Sequence, residues 1–139
     1  MNVQRALVLL LRMAAVLLLL ALGAVVFPFS WMAAIHGWLG MGELPDRPIV
    51  GYLARSLSAM YAIHGALAWL LSLDVRRFAP VIYFQAVVTI VFGVGMLLLD
   101  LVEGMPLFWT LCEGPFVAAL GIALLALIRR QACGATRTT

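Results

Sequence analysis

Four long apolar runs, separated by short polar segments, constrain the fold of this chain more than any other feature of its sequence. A helix needs about 20 mainly apolar residues to cross a membrane, and apolar runs cover residues 6–27, 49–73, 78–99 and 105–128. Only 11% of the 139 residues are charged, whereas an ordinary soluble domain has about 25%. The sequence therefore predicts a single all-α, polytopic membrane domain over residues 1–139, built as a bundle of four transmembrane helices.

A tryptophan-bearing segment follows the first span. Pro28 ends that span, and residues 30–42 then carry Trp31 and Trp38 without a charge. Because tryptophan side chains prefer the membrane–water boundary, this segment is predicted to be a short helix lying in the interface, with both tryptophans as anchors. At the other end of the chain, we expect residues 131–139 to form an irregular polar tail.

The first span also has features of a secretory signal peptide. Arg5 and Arg12 lie near the start of an apolar core, and residues 21–23 (Ala-Leu-Gly) form an acceptable cleavage site. The apolar run continues beyond that site, however, and three more spans follow it. These observations favour an uncleaved membrane anchor over a cleaved signal peptide.

The distribution of arginine predicts the orientation of the spans. Seven of the nine basic residues fall on the side that carries both termini, and these are Arg5, Arg12, Arg76, Arg77, Arg129, Arg130 and Arg137. The other side has Arg47 and a predicted acidic loop over residues 100–104. Since cytoplasmic segments carry an excess of basic residues, both termini are expected to be cytoplasmic.

Two ionisable side chains lie inside predicted spans. Counted from the same expected side, Arg55 lies about six residues into the second span and Glu113 about eight residues into the fourth, at depths of roughly 9 and 12 Å. A charge in hydrocarbon is costly, so a buried Arg55–Glu113 ion pair is predicted, in preference to a snorkelling Arg55 and a protonated Glu113. A structural clamp is favoured over a reactive site.

Pro115 follows Glu113 closely and predicts a kink in the fourth span, because proline removes a backbone hydrogen-bond donor. A kinked helix beside a carboxylate inside the membrane is one way to form a pocket. The alternative is a kink that only improves helix packing.

The two histidines, His36 and His64, raise the possibility of a haem bound by both. His36 is expected at the interface, whereas His64 should lie roughly 22 Å below it, so one haem cannot span the two side chains. No haem, metal or other cofactor is therefore expected. His64 is instead predicted to make a structural hydrogen bond across helices to Gln85 or Thr89 on the third span, with a role in proton relay as the alternative.

One segment carries a family resemblance. Residues 52–65, Tyr-Leu-Ala-Arg-Ser-Leu-Ser-Ala-Met-Tyr-Ala-Ile-His-Gly, resemble the second helix of small four-helix bacterial membrane proteins of the DoxX-like type. Those proteins have an arginine near the outer end of helix two, here Arg55. Many also have a Gly-x-Pro loop, here residues 104–106, before a last helix that bears a glutamate, here Glu113. The resemblance covers about residues 51–127 and implies a four-helix fold in a bacterial inner (plasma) membrane.

Three functional hypotheses follow. None of them is enzymatic, since no nucleophile–base pair is recognisable, and cofactor-dependent redox work remains the alternative to all three. The favoured one is an accessory or scaffold subunit of a membrane complex, or a small homo-oligomer. Its partners are the lipid bilayer and other membrane subunits or itself. The arginines do not cluster on a soluble segment, so nucleic acid is not an expected partner.

The alternative hypothesis is a binder or carrier of a small lipophilic molecule such as a quinone. Its pocket would contain Arg55 and Glu113, with Tyr52, Tyr61 and Pro115 as supporting residues. A further alternative is a proton-coupled exporter of small solutes in which Glu113 titrates.

Overall fold

The structure is a computed structural model that describes residues 2–135, and it is helical throughout that range apart from turns and short connections. The helices are α1 (Val3–Leu20), α2 (Leu22–Val26), α3 (Phe29–Trp38), α4 (Pro48–Leu73), α5 (Ala79–Glu103), α6 (Leu107–Cys112) and α7 (Gly114–Ala135). Four stretches are long and apolar enough to cross a membrane, namely Val3–Val26, Pro48–Leu73, Ala79–Glu103 and Leu107–Cys133. The predicted fold class, an all-α protein with four membrane-spanning helices, is therefore confirmed.

The first and fourth spans are each interrupted. A turn at Ala21 separates α1 from α2, and Glu113 separates α6 from α7 with backbone angles of −80° and −75°. The bend at Glu113 lies two residues before Pro115, whose ring and missing amide hydrogen disfavour a regular helix at this point. It is the bend that Pro115 predicts in the fourth span.

The connection between α5 and α6 is shorter than the sequence indicates. The sequence predicts Asp100 and Glu103 in an acidic loop, but α5 continues through both residues. The side chains of Asp100 and Glu103 are compatible with a helical backbone, so they do not end α5. The helix ends instead at Gly104, whose φ of +69° places it in the left-handed region, where glycine is at ease. The amides of Gly104 and Met105 both donate to the Asp100 carbonyl.

The other helix ends also differ from the predictions. Helix α3 is shorter than the predicted segment 30–42, because Gly40 and Gly42 adopt positive φ angles of 72° and 86°. Helix α7 continues to Ala135, so the prediction of an irregular tail is wrong for residues 131–135. Residues 136–139, including Arg137, lie outside the described residues.

The chain divides into two compact units. Unit 1 contains the described residues up to Leu11 and those from Leu71 onward, and unit 2 contains Arg12–Leu70. The boundaries fall within α1 and within α4. That the whole chain forms one membrane domain stays a prediction.

Unit 1 has an aliphatic core and a close contact between α5 and α7. The core contains Leu7, Leu11, Leu71, Val75, Ile82, Ala86, Leu124 and Ile128. In the contact, a Cβ placed on Gly93 would lie 2.4 Å from the backbone nitrogen of Ala118, and one on Gly114 would lie 2.6 Å from that of Leu97. Small residues allow the two backbones to approach this closely, as is common between membrane helices.

Unit 2 contains a similar contact between α1 and α4. A Cβ placed on Gly65 would lie 2.9 Å from both the Ala15 carbonyl oxygen and the Leu19 nitrogen. Near the start of the unit, the Arg12 guanidinium carbon lies 5.5 Å from the ring centre of Trp69, which is the geometry of a cation–π interaction. Within unit 2, the parts of the first and second spans that it contains are thus joined by backbone packing and by a side-chain contact.

Candidate functional site

Arg55 in unit 2 binds the carbonyl that ends the first span. Its Nη2 donates to the carbonyl oxygen of Phe27 at 3.1 Å, and its Nη1 donates to that of Gly51 at 3.5 Å. Phe27 is the residue that ends α2, where carbonyls lack a partner within the helix. The charged group therefore satisfies the backbone that Pro28 leaves open, and it ties α4 to the end of the first span.

The predicted partner of Arg55, Glu113, lies in unit 1. One Glu113 carboxylate oxygen accepts a hydrogen bond from the indole nitrogen of Trp109, one turn earlier on α6. Each member of the predicted pair thus has a partner within its own unit. The ion pair would join the two units, and it stays a prediction.

An acidic site lies at the end of unit 1 where α5, α6 and α7 meet, and we define it by Asp100, Thr110 and Glu113. Asp100 is only 4% exposed, and its Oδ2 lacks a hydrogen-bond partner among the described residues. Thr110 is 3% exposed, and its hydroxyl lies 3.4 Å from the Pro106 carbonyl oxygen, to which it donates. Glu113 is half-buried.

Sequence reasoning missed Asp100, because it assigned this residue to a solvated loop. The signal that could have found it is Gly104. A glycine that ends a helix in the left-handed conformation places the residue four positions earlier in the last helical turn. Asp100 would then have been recognised as a carboxylate next to the packed start of the fourth span.

The chemistry open to this site is the binding of a proton or another cation. A carboxylate with limited access to water is stabilised when a positive charge lies beside it. Within residues 2–135, no group of three or more His, Cys, Asp and Glu side chains is placed to hold a metal ion. The expectation that the chain binds no cofactor stays a prediction.

The two histidines each bond to a backbone carbonyl. Nδ1 of His36 lies 3.1 Å from the Gly42 oxygen, and Nδ1 of His64 lies 2.9 Å from the Met60 oxygen. Since a carbonyl only accepts, Nδ1 carries the proton in both rings, and a neutral ring keeps the lone pair on Nε2. His64 is exposed and belongs to unit 2.

The remaining predicted site residues are divided between the units. Gln85, Thr89 and Pro115 are half-buried in unit 1. Tyr52 is 66% exposed and Tyr61 half-buried in unit 2. The predicted bond from His64 to Gln85 or Thr89, and the predicted lipophilic pocket, would each join the two units, so both stay predictions.

Comparison with protein-family models, with curated proteins and with solved structures finds no match for this chain. The resemblance to DoxX-like proteins accordingly stays a prediction.

Proposed function

We propose that this chain is a non-enzymatic subunit of a membrane assembly, and that it binds a neighbouring subunit of a different kind through one face of α4. The observation that carries this proposal is an exposed histidine well inside a membrane span. The residues around it provide the apolar surface for the contact.

This face, which we call the α4 stripe, consists of Leu53, Leu57, Met60, His64 and Leu67. Their spacing alternates between four and three residues, which places all five on one side of a helix and is typical of helix–helix seams. The leucines are 57%, 53% and 38% exposed, and Met60 is 50% exposed. The aliphatic members suit either lipid or protein, so His64 is the residue that favours a protein.

His64 needs a hydrogen-bond donor that lipid tails cannot supply. Its Nδ1 proton is already donated to the Met60 carbonyl, so Nε2 of the neutral ring is an acceptor. A polar group in hydrocarbon is costly unless it is hydrogen-bonded. A helix of a neighbouring subunit with a serine, threonine, asparagine or glutamine at this depth would satisfy it, in place of the Gln85 or Thr89 that the sequence predicts.

The need of His64 Nε2 for a donor favours a subunit of a different kind over a second copy of this chain. Two copies that packed their α4 stripes together in parallel would bring two Nε2 acceptors to one depth. Two acceptors cannot form a hydrogen bond without an additional proton. A subunit that offers a donor is therefore the complementary partner.

Photo-crosslinking tests this contact. A benzophenone-bearing residue replaces Leu57 or Met60 in the full chain, and the control position is Ala66, which is exposed and lies roughly on the opposite side of α4 from His64. We expect positions 57 and 60, but not 66, to form an adduct with one stoichiometric membrane protein. His64→Leu should weaken that adduct. Adducts between copies of this chain, or none from the stripe, would contradict the proposal.

The acidic site supports a second candidate, proton-coupled transport of a small solute. The supporting observation is the buried Asp100, whose Oδ2 lacks a hydrogen-bond partner among the described residues. A carbodiimide that modifies protonated carboxyls within membranes should label Asp100 or Glu113. Glu103, which is exposed on the same helix as Asp100, is the control carboxylate. Equal labelling of all three residues, or labelling of Glu103 alone, would exclude this candidate.

A further inference from the structure

Unit 1 contains a second polar site, at the end of the unit that is rich in arginine. A cavity of about 790 Å³ opens between the start of α1, the start of α5 and the end of α7. Its polar lining includes Asn2, Arg76, Tyr83, Arg129, Arg130 and Gln131. We call this cavity the arginine groove. It belongs entirely to unit 1 and is remote in sequence from the acidic site.

The groove is suited to an anion. Three arginines line it, and no Asp or Glu is among its described lining residues. Asp74, the carboxylate nearest to Arg76 in the sequence, uses Oδ1 to accept from the backbone amides of Arg76 and Arg77 at 3.2 and 3.0 Å. An arginine guanidinium group can bind a phosphate through two parallel hydrogen bonds.

The position of Arg129 adds a second donor to the groove. Its Nη2 donates to the Tyr83 hydroxyl oxygen at 3.3 Å, and its guanidinium carbon lies 5.8 Å from the centre of the Tyr83 ring. The tyrosine oxygen therefore accepts from arginine, and its own proton remains available to donate. A phosphate oxygen in the groove would receive donors from both side chains.

Gln131 differs from the arginines because its free oxygen needs a hydrogen-bond donor from the ligand. Its Oε1 is buried and lacks a hydrogen-bond partner among the described residues, so a ligand reaches this oxygen once the Gln131 side chain rotates toward the groove. An ionised phosphodiester has no proton to donate to this oxygen, but a hydroxyl group next to the phosphate does. An ammonium group would also donate, but the three arginines repel it.

The rest of the lining is apolar. Val3, Ala79, Ile128 and Ala132 line the same cavity, and they belong to segments that form or extend membrane spans. A ligand that fits both surfaces has an anionic, hydroxylated head and an acyl region. Basic pockets between membrane helices bind lipid headgroups of this type.

We propose that the arginine groove binds the headgroup of an anionic phospholipid that carries hydroxyl groups, such as phosphatidylglycerol. The arginines and Tyr83 hold the phosphate, and Gln131 accepts from a headgroup hydroxyl.

Native mass spectrometry of the full chain in nanodiscs measures the number and affinity of bound lipids. Arg76→Gln and Arg129→Gln should each weaken binding of phosphatidylglycerol about fivefold. Arg77→Gln is the matched control, because Arg77 adjoins Arg76 but does not line the groove. Equal losses in Arg77→Gln and Arg76→Gln, or no loss in either groove variant, would overturn the proposal.

A second comparison tests the role of the hydroxyl. Phosphatidylmethanol is an anionic phosphodiester whose headgroup lacks a hydroxyl, and the chain should bind it more weakly than phosphatidylglycerol. Gln131→Leu should abolish that difference without abolishing binding. Competition with soluble glycerol 3-phosphate tests whether the ligand is a lipid or a free phosphate compound. If it displaces the lipid at equal concentration, the ligand is a free phosphate compound and the lipid assignment is wrong.

Discussion

At the scale of single residues, several polar side chains of this protein donate to backbone carbonyls of their own helix or of a neighbouring segment. Arg55 donates to the Phe27 carbonyl at the end of the first span. Thr110 donates to carbonyls in the turn before α6, and His64 donates to the preceding turn of its own helix. These bonds allow polar residues to lie within apolar spans at limited cost.

The hydrogen bond of Arg55 gives a prediction of stability. Arg55→Ala should lower the free energy of unfolding by about 2 kcal/mol, because it removes a charged donor from an open carbonyl. Arg55→Lys should lower it less, since an ammonium group can still reach one carbonyl. Unfolding by sodium dodecyl sulphate in mixed micelles measures both variants. Equal losses in the two variants would show that a single retained charge cannot replace the guanidinium group.

A double-mutant cycle can test whether Arg55 and Glu113 form the ion pair that the sequence predicts. If Arg55 and Glu113 interact, the cost of Arg55→Ala combined with Glu113→Gln should differ from the sum of the two single costs. We expect a coupling of about 1 kcal/mol or more for a buried pair. Additive costs would rule out the pair and leave the Phe27 and Gly51 carbonyls as the partners of Arg55.

At the scale of helices, glycine decides how closely the spans of unit 1 approach one another. Gly93 on α5 faces the backbone of Ala118 and the carbonyl of Gly114, both on α7. Any side chain at Gly93 would occupy space that the opposite backbone already fills. The contact depends on the absence of a Cβ, and this requirement does not apply to every glycine on α5.

Two alanine substitutions on α5 separate packing from helix propensity. Gly93→Ala should destabilise the protein by about 1–3 kcal/mol, because the new methyl group would overlap α7 and push the helices apart. Gly95→Ala should be neutral or slightly stabilising, since a Cβ there meets nothing within 4 Å and alanine favours helix. Thermal unfolding in detergent compares the pair. A Gly93→Ala variant as stable as Gly95→Ala would contradict the close contact.

At the scale of the whole molecule, hydrophobic length was enough to predict four spans. The residues that shape the sites were harder to predict, because their roles depend on neighbours distant in sequence. Asp100 has the composition of a loop residue, and only the helix end at Gly104 places it in the buried acidic site. The Phe27 carbonyl cannot be identified as a partner of Arg55 from the sequence, which offers only side chains such as Glu113 as candidates. The sequence shows that residue 93 is a glycine, but it does not show that this glycine packs against α7.

The predicted orientation is also a property of the whole molecule. If both termini are cytoplasmic, a cysteine placed at Asp46 should react with a membrane-impermeant maleimide added to intact cells. A cysteine placed at Arg76 should react only after the membrane is opened. This result follows from the excess of arginine on one side of the spans. Labelling of Arg76→Cys in intact cells would reverse the orientation.

We propose that this chain works as one subunit of a larger membrane assembly. The most direct measurement is native mass spectrometry of the untagged protein, extracted from its own membranes in lipid nanodiscs. We predict a single complex in which this chain and at least one different subunit occur in fixed proportion, and we predict that His64→Leu reduces the amount of that complex while the protein stays folded. A wild-type chain found only as a monomer, or only with copies of itself, would contradict the account.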